Sequence, residues 1–256
     1  MRGTNVAAIY VLWLREMKRY RRSNARIAST LALPFLFLVG FWFGFRNVQL
    51  PGVGADVDYL QFLVPGIVGM TMLFSAAFGG ISVIFDRQFG FLKEILVTPV
   101  DRISIALGRV VGSTTTAVIQ GLLILVISVG IGFRPTTWLG LVPALVFMVL
   151  IGATFIGLGL VFASRINDFQ AFNLIFNFVL FPLLFLSGAI YPVTNFPTVV
   201  TYVAYLNPLT YGIDGLRAVL VGVSMFSPVL DLAVIAGFAL GFVILGAYSF
   251  EGSDAV

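Results

Sequence analysis

The side chains of this sequence that could do chemistry are few, and most lie outside its apolar segments. Neither cysteine nor histidine occurs in the 256 residues, which excludes disulfides, imidazole bases and Cys/His metal sites. The two lysines, Lys18 and Lys93, follow Met17 and Leu92. A phosphate-binding loop needs Gly-Lys followed by Ser or Thr, so the chain has no P-loop of its own. We therefore expect no enzymatic site, no cofactor and no metal in this chain.

The densest group of charged residues is the segment DRQFGFLKEILVTPVDR, residues 86–102. It holds three acids and three bases with large apolar residues among them, and Pro99 ends any helix there. A connector between two helices needs only a few polar residues. A short amphipathic helix exposed to water must instead rest on lipid headgroups or on another protein. The segment therefore predicts a contact surface.

Ionisable residues are almost absent from the apolar segments, whereas ion-driven transporters carry them deep in the membrane. Asp231 lies three residues into the last apolar segment, and Arg109 lies two turns into the third. These positions favour boundary residues over a proton relay, since Arg109 can snorkel to the surface. Neutral polar residues either line a pathway or hydrogen-bond between helices. In the third segment they are Thr114, Thr115, Thr116 and Gln120, and in the fifth Gln170, Asn173 and Asn177.

The elements that must position these residues are transmembrane helices. The chain is 59% hydrophobic and only 10% charged, whereas soluble proteins carry about 25% charged residues. A helix needs roughly 20 apolar residues to cross the hydrocarbon, and six stretches meet this length. We therefore predict an all-α integral membrane protein, organised as one domain over residues 1–256. The predicted spans are Ile27–Phe45, Gln61–Phe85, Ile103–Phe133, Thr137–Ser164, Ala171–Ile190 and Pro228–Phe250.

The distribution of Lys and Arg predicts the orientation. With the N-terminus inside, twelve of the fifteen basic residues fall on the cytoplasmic side, and only Arg46, Arg134 and Arg217 lie outside. Because cytoplasmic loops are enriched in Lys and Arg, both termini are predicted to be cytoplasmic. The long basic region and the nearly span-length apolar run after it favour a retained segment over a cleaved signal peptide.

Residues 1–26 predict an amphipathic helix in the inner membrane interface, with lipid rather than nucleic acid as the partner of its charges. A solvated basic tail is the alternative. On a helical projection one stripe is apolar and aromatic, and the opposite side is basic. The stripe holds Val6, Ile9, Tyr10, Trp13, Met17 and Tyr20, and the basic side holds Arg15, Lys18, Arg19, Arg22 and Arg26.

Residues 191–227, between the fifth and sixth spans, contain two apolar runs that are too short to cross a membrane. These are Val199–Leu206 and Leu216–Val223, set between prolines. They predict re-entrant or interfacial helices, which are tolerated where protein covers them.

Glycines four residues apart recur in three spans. Such pairs let helix backbones approach closely, within one chain or across a dimer seam. The pairs are Gly40/Gly44, Gly108/Gly112 and Gly237/Gly241.

Four stretches in this order resemble the membrane subunit of ABC exporters of the type-2 permease family, which includes daunorubicin-resistance, polysaccharide-export and sodium-export permeases. The resemblance covers nearly the whole chain. The first stretch is WLREMKRYRRS (13–23), followed by a span with Pro34. The second is the 86–102 pattern, the third FLSGAIYPVTNFP (185–197) and the fourth NPLTYGIDGLRAVLVG (207–222).

The resemblance implies six helices, a dimer of permeases and two separate ATP-binding subunits that hold ATP and Mg²⁺. The 86–102 segment is then similar to the family's coupling helix, and the turn from Arg165 to Asp168 is a second, smaller contact. The N-terminal helix would brace the ATPase, and residues 191–227 would cap the exit. In the coupling segment Gly90 would permit a turn, Arg87 and Glu94 would make polar contacts, and Phe91, Leu92 and Ile95 would pack in a groove. Asp86, Thr98, Pro99 and Arg102 complete the pattern, and Asp86-Arg87 stands where an Arg-Glu pair is commoner.

The leading interpretation is thus the permease subunit of an ATP-driven exporter in the plasma membrane of a prokaryote. Its substrate would be a hydrophobic or amphipathic drug, a lipid or a lipid-linked glycan. The alternatives are a secondary transporter, against which the charge-poor spans argue, and a non-transporting membrane scaffold.

Overall fold

The computed structural model describes residues 5–45, 58–88, 101–166 and 168–251, apart from the side chains of Arg26, Ala77, Arg87 and Glu251. All regular structure in these ranges is helical, with short 3₁₀ turns at Trp138–Gly140 and Val193–Asn195. The α-helices are α1 (Val6–Arg22), α2 (Asn24–Phe45), α3 (Tyr59–Gln88), α4 (Arg102–Ile131), α5 (Leu141–Arg165), α6 (Phe169–Leu186), α7 (Thr198–Tyr205), α8 (Pro208–Val221) and α9 (Pro228–Glu251).

Six of these helices are long and apolar enough to cross a membrane, which confirms the predicted number of spans. The largest shift is in the fifth span, which was predicted to reach Ile190 but ends at Leu186. It ends there because Gly188 takes a left-handed conformation with φ +76° that no helix continues. The spans are Ile27–Phe45, Tyr59–Asp86, Arg102–Ile131, Trp138–Arg165, Phe169–Leu186 and Pro228–Phe250.

Helix α3 lies at the centre of the bundle. Of its most apolar stretch 88% is buried, against 17% for α2. Its neighbours are α2, α4, α5, α6 and α8, and α5 packs along α9. Prolines lie inside three spanning helices at Pro34, Pro65 and Pro182, as membrane helices allow when neighbouring groups satisfy the freed backbone.

The helix bundle has two ends, and each takes its name from a helix that lies there. We call "the α1 end" the part formed by α1, the last turn of α3 and the first turns of α4 and α6. We call "the α8 end" the part formed by the first turn of α3, the end of α6, helices α7 and α8, and the first turn of α9. The spans run between these two ends.

The three glycine pairs fall into two classes. A Cβ on Gly108 or Gly112 would meet Leu12 or Glu16 of α1, so this pair forms the surface on which α1 rests and is not part of a dimer seam. A Cβ on either glycine of the pairs Gly40/Gly44 and Gly237/Gly241 would meet nothing within 4 Å.

Helix α8 is longer than the apolar run Leu216–Val223 from which it was predicted. It begins at Pro208 because the Asn207 side chain accepts a hydrogen bond from the Leu209 N–H, and because proline is well suited to the first helical position. It ends at Gly222, whose φ of +81° suits a glycine C-cap. The Asn207 amide also donates to the Leu183 carbonyl at 2.6 Å, which attaches α8 to the end of α6.

Candidate functional site: a charged cluster at the α1 end

Helix α1 packs along the first half of α4. Its backbone approaches at Gly108 and Gly112, where the absence of side chains leaves room for Leu12 and Glu16. Two hydrogen bonds fix the register of the pair. The Asn5 N–H donates to Ser104 Oγ at 2.9 Å, and Trp13 Nε1 donates to Thr115 Oγ1 at 3.1 Å.

Asp86, in the last turn of α3, forms ion pairs with three arginines. Its Oδ2 accepts from Arg109 Nη2 of α4 at 2.7 Å and from Arg15 Nη2 of α1 at 2.8 Å. Arg19 of α1 approaches Oδ1 at 3.9 Å. One carboxylate therefore joins α1, α3 and α4.

The three arginines differ in their access to solvent. The Arg109 side chain is 7% exposed, whereas those of Arg15 and Arg19 are 30% and 41% exposed. A buried cation needs a counter-ion, because its desolvation is costly. Asp86 is thus the main counter-ion of Arg109, with Glu16 as a weaker one, and it is less important to Arg19. Arg109, predicted to snorkel to the surface, is instead buried against Asp86.

The helix ends that flank the two predicted contact segments, which we call their stems, lie side by side. The ring of Phe85, at the end of α3, stacks on that of Phe169 at the start of α6, with centroids 5.1 Å apart. Arg165 is the last residue of α5. Asp168 caps α6 by accepting from the Gln170 N–H at 3.0 Å. Both stems therefore lie at the α1 end.

Most residues predicted for the coupling segment lie outside the described residues. Arg102 is described and is the first residue of α4. The side chain of Arg87 is not described. The predicted residues outside the described ranges are Gly90, Phe91, Leu92, Glu94, Ile95, Thr98 and Pro99.

The residues of the predicted apolar stripe of α1 do not share one environment. Tyr20 is buried and Trp13 is half-buried, whereas Val6 and Tyr10 are exposed. Of the predicted basic side, Arg15 turns inward to Asp86. Lys18, Arg19 and Arg22 are exposed.

The neutral polar residues are not brought together. Gln120 is buried between α4 and α2, where its Nε2 donates to Thr30 Oγ1 at 2.8 Å. Gln170 and Asn173 lie on α6, exposed and half-buried. Asn177 lines an apolar surface groove of about 550 Å³ on the same helix, with Leu174, Ile175, Phe178, Val179, Phe181 and Pro182.

The sequence profile of ABC-2 type transporters matches residues 7–221, which include α1, five of the spans and α8. The chain belongs to the ABC-2 type transporter family. The resemblance seen in the sequence is thereby confirmed, and the chain is an ABC transporter permease by its family.

Individual relatives of this ABC-2 permease align over most of their length. It is 29% identical over 255 residues to Nodulation protein J of Rhizobium leguminosarum bv. trifolii, covering 96% of this chain and 94% of that protein. It is 28% identical to the inner membrane transport permease YadH of Escherichia coli K12, covering 93% and 92%. It is 32% identical to the putative transport permease ycf38 of Pyropia yezoensis, covering 83% and 73%.

This ABC-2 permease has a second charged cluster, at the α8 end. Arg217 Nη2 donates to the Gly188 carbonyl at 2.9 Å, and its guanidinium carbon lies 3.8 Å from the centre of the Phe62 ring. Asp214 accepts from the backbone N–H groups of Met225 and Phe226, at 2.8 Å each. Burial lowers the pKa of Arg217 to about 10, and the nearby Asp214 opposes the shift. Arg217 therefore stays charged at neutral pH.

Asp214 was not predicted as a site residue, and Arg217 was predicted only to be an outer basic residue. The available signal was their spacing of three residues within an otherwise apolar run, which places both on one face of a helix. Asp231, predicted as a boundary residue, is instead completely buried in the first turn of α9.

Proposed function

We propose that this chain is the permease subunit of an ATP-driven exporter, that two such subunits form the pathway, and that separate ATP-binding subunits dock at the α1 end. The supporting observation is the Asp86 cluster. Asp86 begins the 86–102 segment, Arg109 follows the segment in α4, and the two side chains are joined at 2.7 Å. A force on that segment therefore reaches α3 and α4 together, and through Arg15 it also reaches α1.

On this proposal the 86–102 segment is the coupling helix, and the turn at Arg165 and Asp168 is the smaller contact. The Phe85–Phe169 stack supports this assignment, because it holds the two stems side by side. Closure of the ATP-binding subunits would move both stems and shift the spans between inward- and outward-open states.

The α1 end is assigned to the cytoplasm. Lys18, Arg19 and Arg22 are exposed there, and exposed basic residues beside a span favour the cytoplasmic leaflet. Helix α1 would rest on the headgroups through its exposed residues while its other face packs on α4. Helices α7 and α8 would then form the outer, re-entrant part.

The groove on α6 is the proposed surface toward the pathway and a second permease. It is almost wholly apolar, with Asn177 as its polar member. Such a lining suits an amphipathic drug, a lipid or a lipid-linked glycan, because apolar walls with few polar groups bind apolar ligands.

The test is co-purification of the tagged full chain with its ATP-binding subunits, followed by measurement of ATP hydrolysis in nanodiscs. Glu94→Arg should lose the ATP-binding subunits, because a reversed charge opposes docking. Asp86→Asn should keep them but lower the permease's effect on ATP hydrolysis by about fivefold or more, since coupling free energies span that range.

The matched control is Asp58→Asn, because Asp58 is an exposed acid that precedes the other end of the same helix, α3. It should leave both properties unchanged. A chain that purifies from its native membrane without an ATP-hydrolysing partner would contradict the proposal and favour a secondary transporter or a scaffold.

A further inference from the structure

The carboxyl group of Asp231 is in an unusual environment for an acid. Its exposure is 0%, and within the described residues neither of its oxygens has a hydrogen-bond partner. An ionised carboxylate buried without donors is very costly, whereas its protonated form needs only one acceptor for its O–H. Asp231 is therefore best accommodated as the neutral acid.

An acceptor for that O–H is adjacent. The carboxyl groups of Asp231 and Asp214 lie close enough to share a hydrogen bond, which can form only when one of them carries a proton. Asp214 is the partner suited to accept that hydrogen bond. It accepts from two backbone N–H groups, and Arg217 approaches it at 4.0 Å.

The other titratable groups around Asp231 supply it with no donor. The Tyr211 hydroxyl already donates to the Tyr205 carbonyl at 2.8 Å. The Arg217 guanidinium is directed to the carbonyls of Phe62 and Gly188. Helices α4 and α5, which also pack on α9, carry their described ionisable residues at the α1 end, and Arg134 in the turn between them is exposed. Those residues are Arg102, Arg109 and Arg165.

A route from water to the pair exists on the Asp214 side. Asp214 and Arg217 line a cavity of about 90 Å³ at the α8 end, with Thr210 and Ser224 among its polar walls. This volume accommodates only a few water molecules. It is therefore large enough to deliver a proton and too small for an organic substrate.

We propose that Asp231 and Asp214 form a proton-binding site between α9 and α8, in which Asp231 holds the proton and donates it to the Asp214 carboxylate. The site lies apart from the Asp86 cluster and does not depend on the proposed function. Loss of the proton would leave two carboxylates side by side without a donor between them, and would weaken the contact between α8 and α9.

A proton is favoured over a metal cation as the occupant. Among the residues that the structure describes, no three acidic side chains converge. The Asp214 oxygens already accept the Met225 and Phe226 N–H groups, which leaves capacity for one more hydrogen bond but too few ligands for a divalent ion.

The test uses the full chain in nanodiscs, with two readouts that do not involve an ATPase. Infrared spectroscopy should show the C=O stretch of a protonated carboxylic acid at neutral pH, which disappears in Asp231→Asn and on alkaline titration of the unsubstituted chain. If that band is absent or is unchanged in Asp231→Asn, the proposal is wrong.

The second readout is the thermal midpoint of the two isosteric variants. Asp231→Asn offers an amide N–H in place of the acid O–H, so its midpoint should stay within about 2 °C of that of the unsubstituted chain. Asp214→Asn loses the anionic acceptor and should fall by about 5 °C or more. Equal losses in both variants would overturn the assignment of the proton to Asp231.

The pH dependence has a defined sign. The folded chain retains a proton that the unfolded chain has released, so the midpoint of the unsubstituted chain should fall as the pH rises. Asp231→Asn should remove this slope. Replacing Na⁺ with a large organic cation should change nothing, and a midpoint that follows Na⁺ instead of pH would show that a metal ion occupies the site.

Discussion

The two charged clusters of this permease have opposite balances of acid and base. At the α1 end three arginines, two of them partly exposed, pair with Asp86, and the buried Glu16 of α1 is a second acid near Arg109. At the α8 end two acids, Asp214 and Asp231, lie with the single Arg217, and all three are buried. An excess of base suits a surface beside anionic headgroups. An excess of buried acid must be neutralised by hydrogen bonds or by a proton.

The clusters also differ in the groups that they join. Asp86 connects the side chains of three helices, so every link in that cluster is an ion pair. Arg217 and Asp214 bind mostly backbone groups, namely the carbonyls of Phe62 and Gly188 and the N–H groups of Met225 and Phe226. Ion pairs that a partner could perturb therefore stabilise the α1 end, whereas hydrogen bonds to backbone groups stabilise the α8 end.

The largest expected effect concerns the acid at the α1 end. Asp86→Ala removes the ion-pair partner of the buried Arg109, with Glu16 as the remaining nearby acid, and should cost about 3–5 kcal/mol of folding free energy. Unfolding in mixed micelles measures this cost. The double variant Asp86→Leu/Arg109→Met should recover most of it, since an apolar pair of similar volume replaces a buried ion pair with little loss. A cost below about 1 kcal/mol for Asp86→Ala would be as small as the effect expected of Asp231→Asn, and the two clusters would then not differ in their dependence on a charged acid.

An intermediate effect should distinguish the backbone contacts of the α8 end from the side-chain contacts of the α1 end. A methyl group on Gly66 would overlap the backbone of Ala189 at the α8 end, whereas one on Gly112 would press only on the Glu16 side chain. Gly66→Ala should cost about 1–3 kcal/mol by overpacking, and Gly112→Ala should cost less.

The control for these glycine variants is Gly40→Ala, which has open space around the new methyl group. It should be neutral, or more stable by up to about 1 kcal/mol through helix propensity. Thermal midpoints of the three variants in one detergent provide the measurement. If Gly112→Ala proves the most costly, then the contact between α1 and α4 is at least as rigid as the backbone contact at the α8 end.

The smallest expected effect is that of Arg19→Ala. Arg19 lies 3.9 Å from Asp86 and is 41% exposed, so its removal should cost about 0.5 kcal/mol or less. Arg15→Ala should cost more, because Arg15 forms a 2.8 Å hydrogen bond with the same carboxylate. Raising the salt concentration should reduce the Arg19 effect first, since exposed charges are screened most. Equal effects of the two variants would mean that the contribution of each arginine to stability does not depend on its burial.

The number and position of the spans follow from the sequence. Runs of about 20 apolar residues have one solution in lipid, a helix that satisfies its own backbone hydrogen bonds. Helix ends were predicted less well, because they depend on single residues. Asn207 and Gly222 set the limits of α8, and Gly188 shortens α6.

The sequence also determined the family, through the order and spacing of its stretches, and it identified Asp86 as part of a charged segment. It did not determine the partners of Asp86. Arg15 and Arg109 lie 71 and 23 residues away, and Arg109 was interpreted as a surface residue because an arginine near a helix end can reach water.

Only the tertiary structure decided that Asp231 is buried beside Asp214. A single acid at the start of an apolar segment has the same sequence pattern whether it faces water or another helix. Its environment depends on the packing of α8 against α9, and that packing arises from contacts between residues far apart in the chain. Composition and local pattern determined the helices of this permease, whereas long-range packing determined which of its charges are paired, exposed or buried.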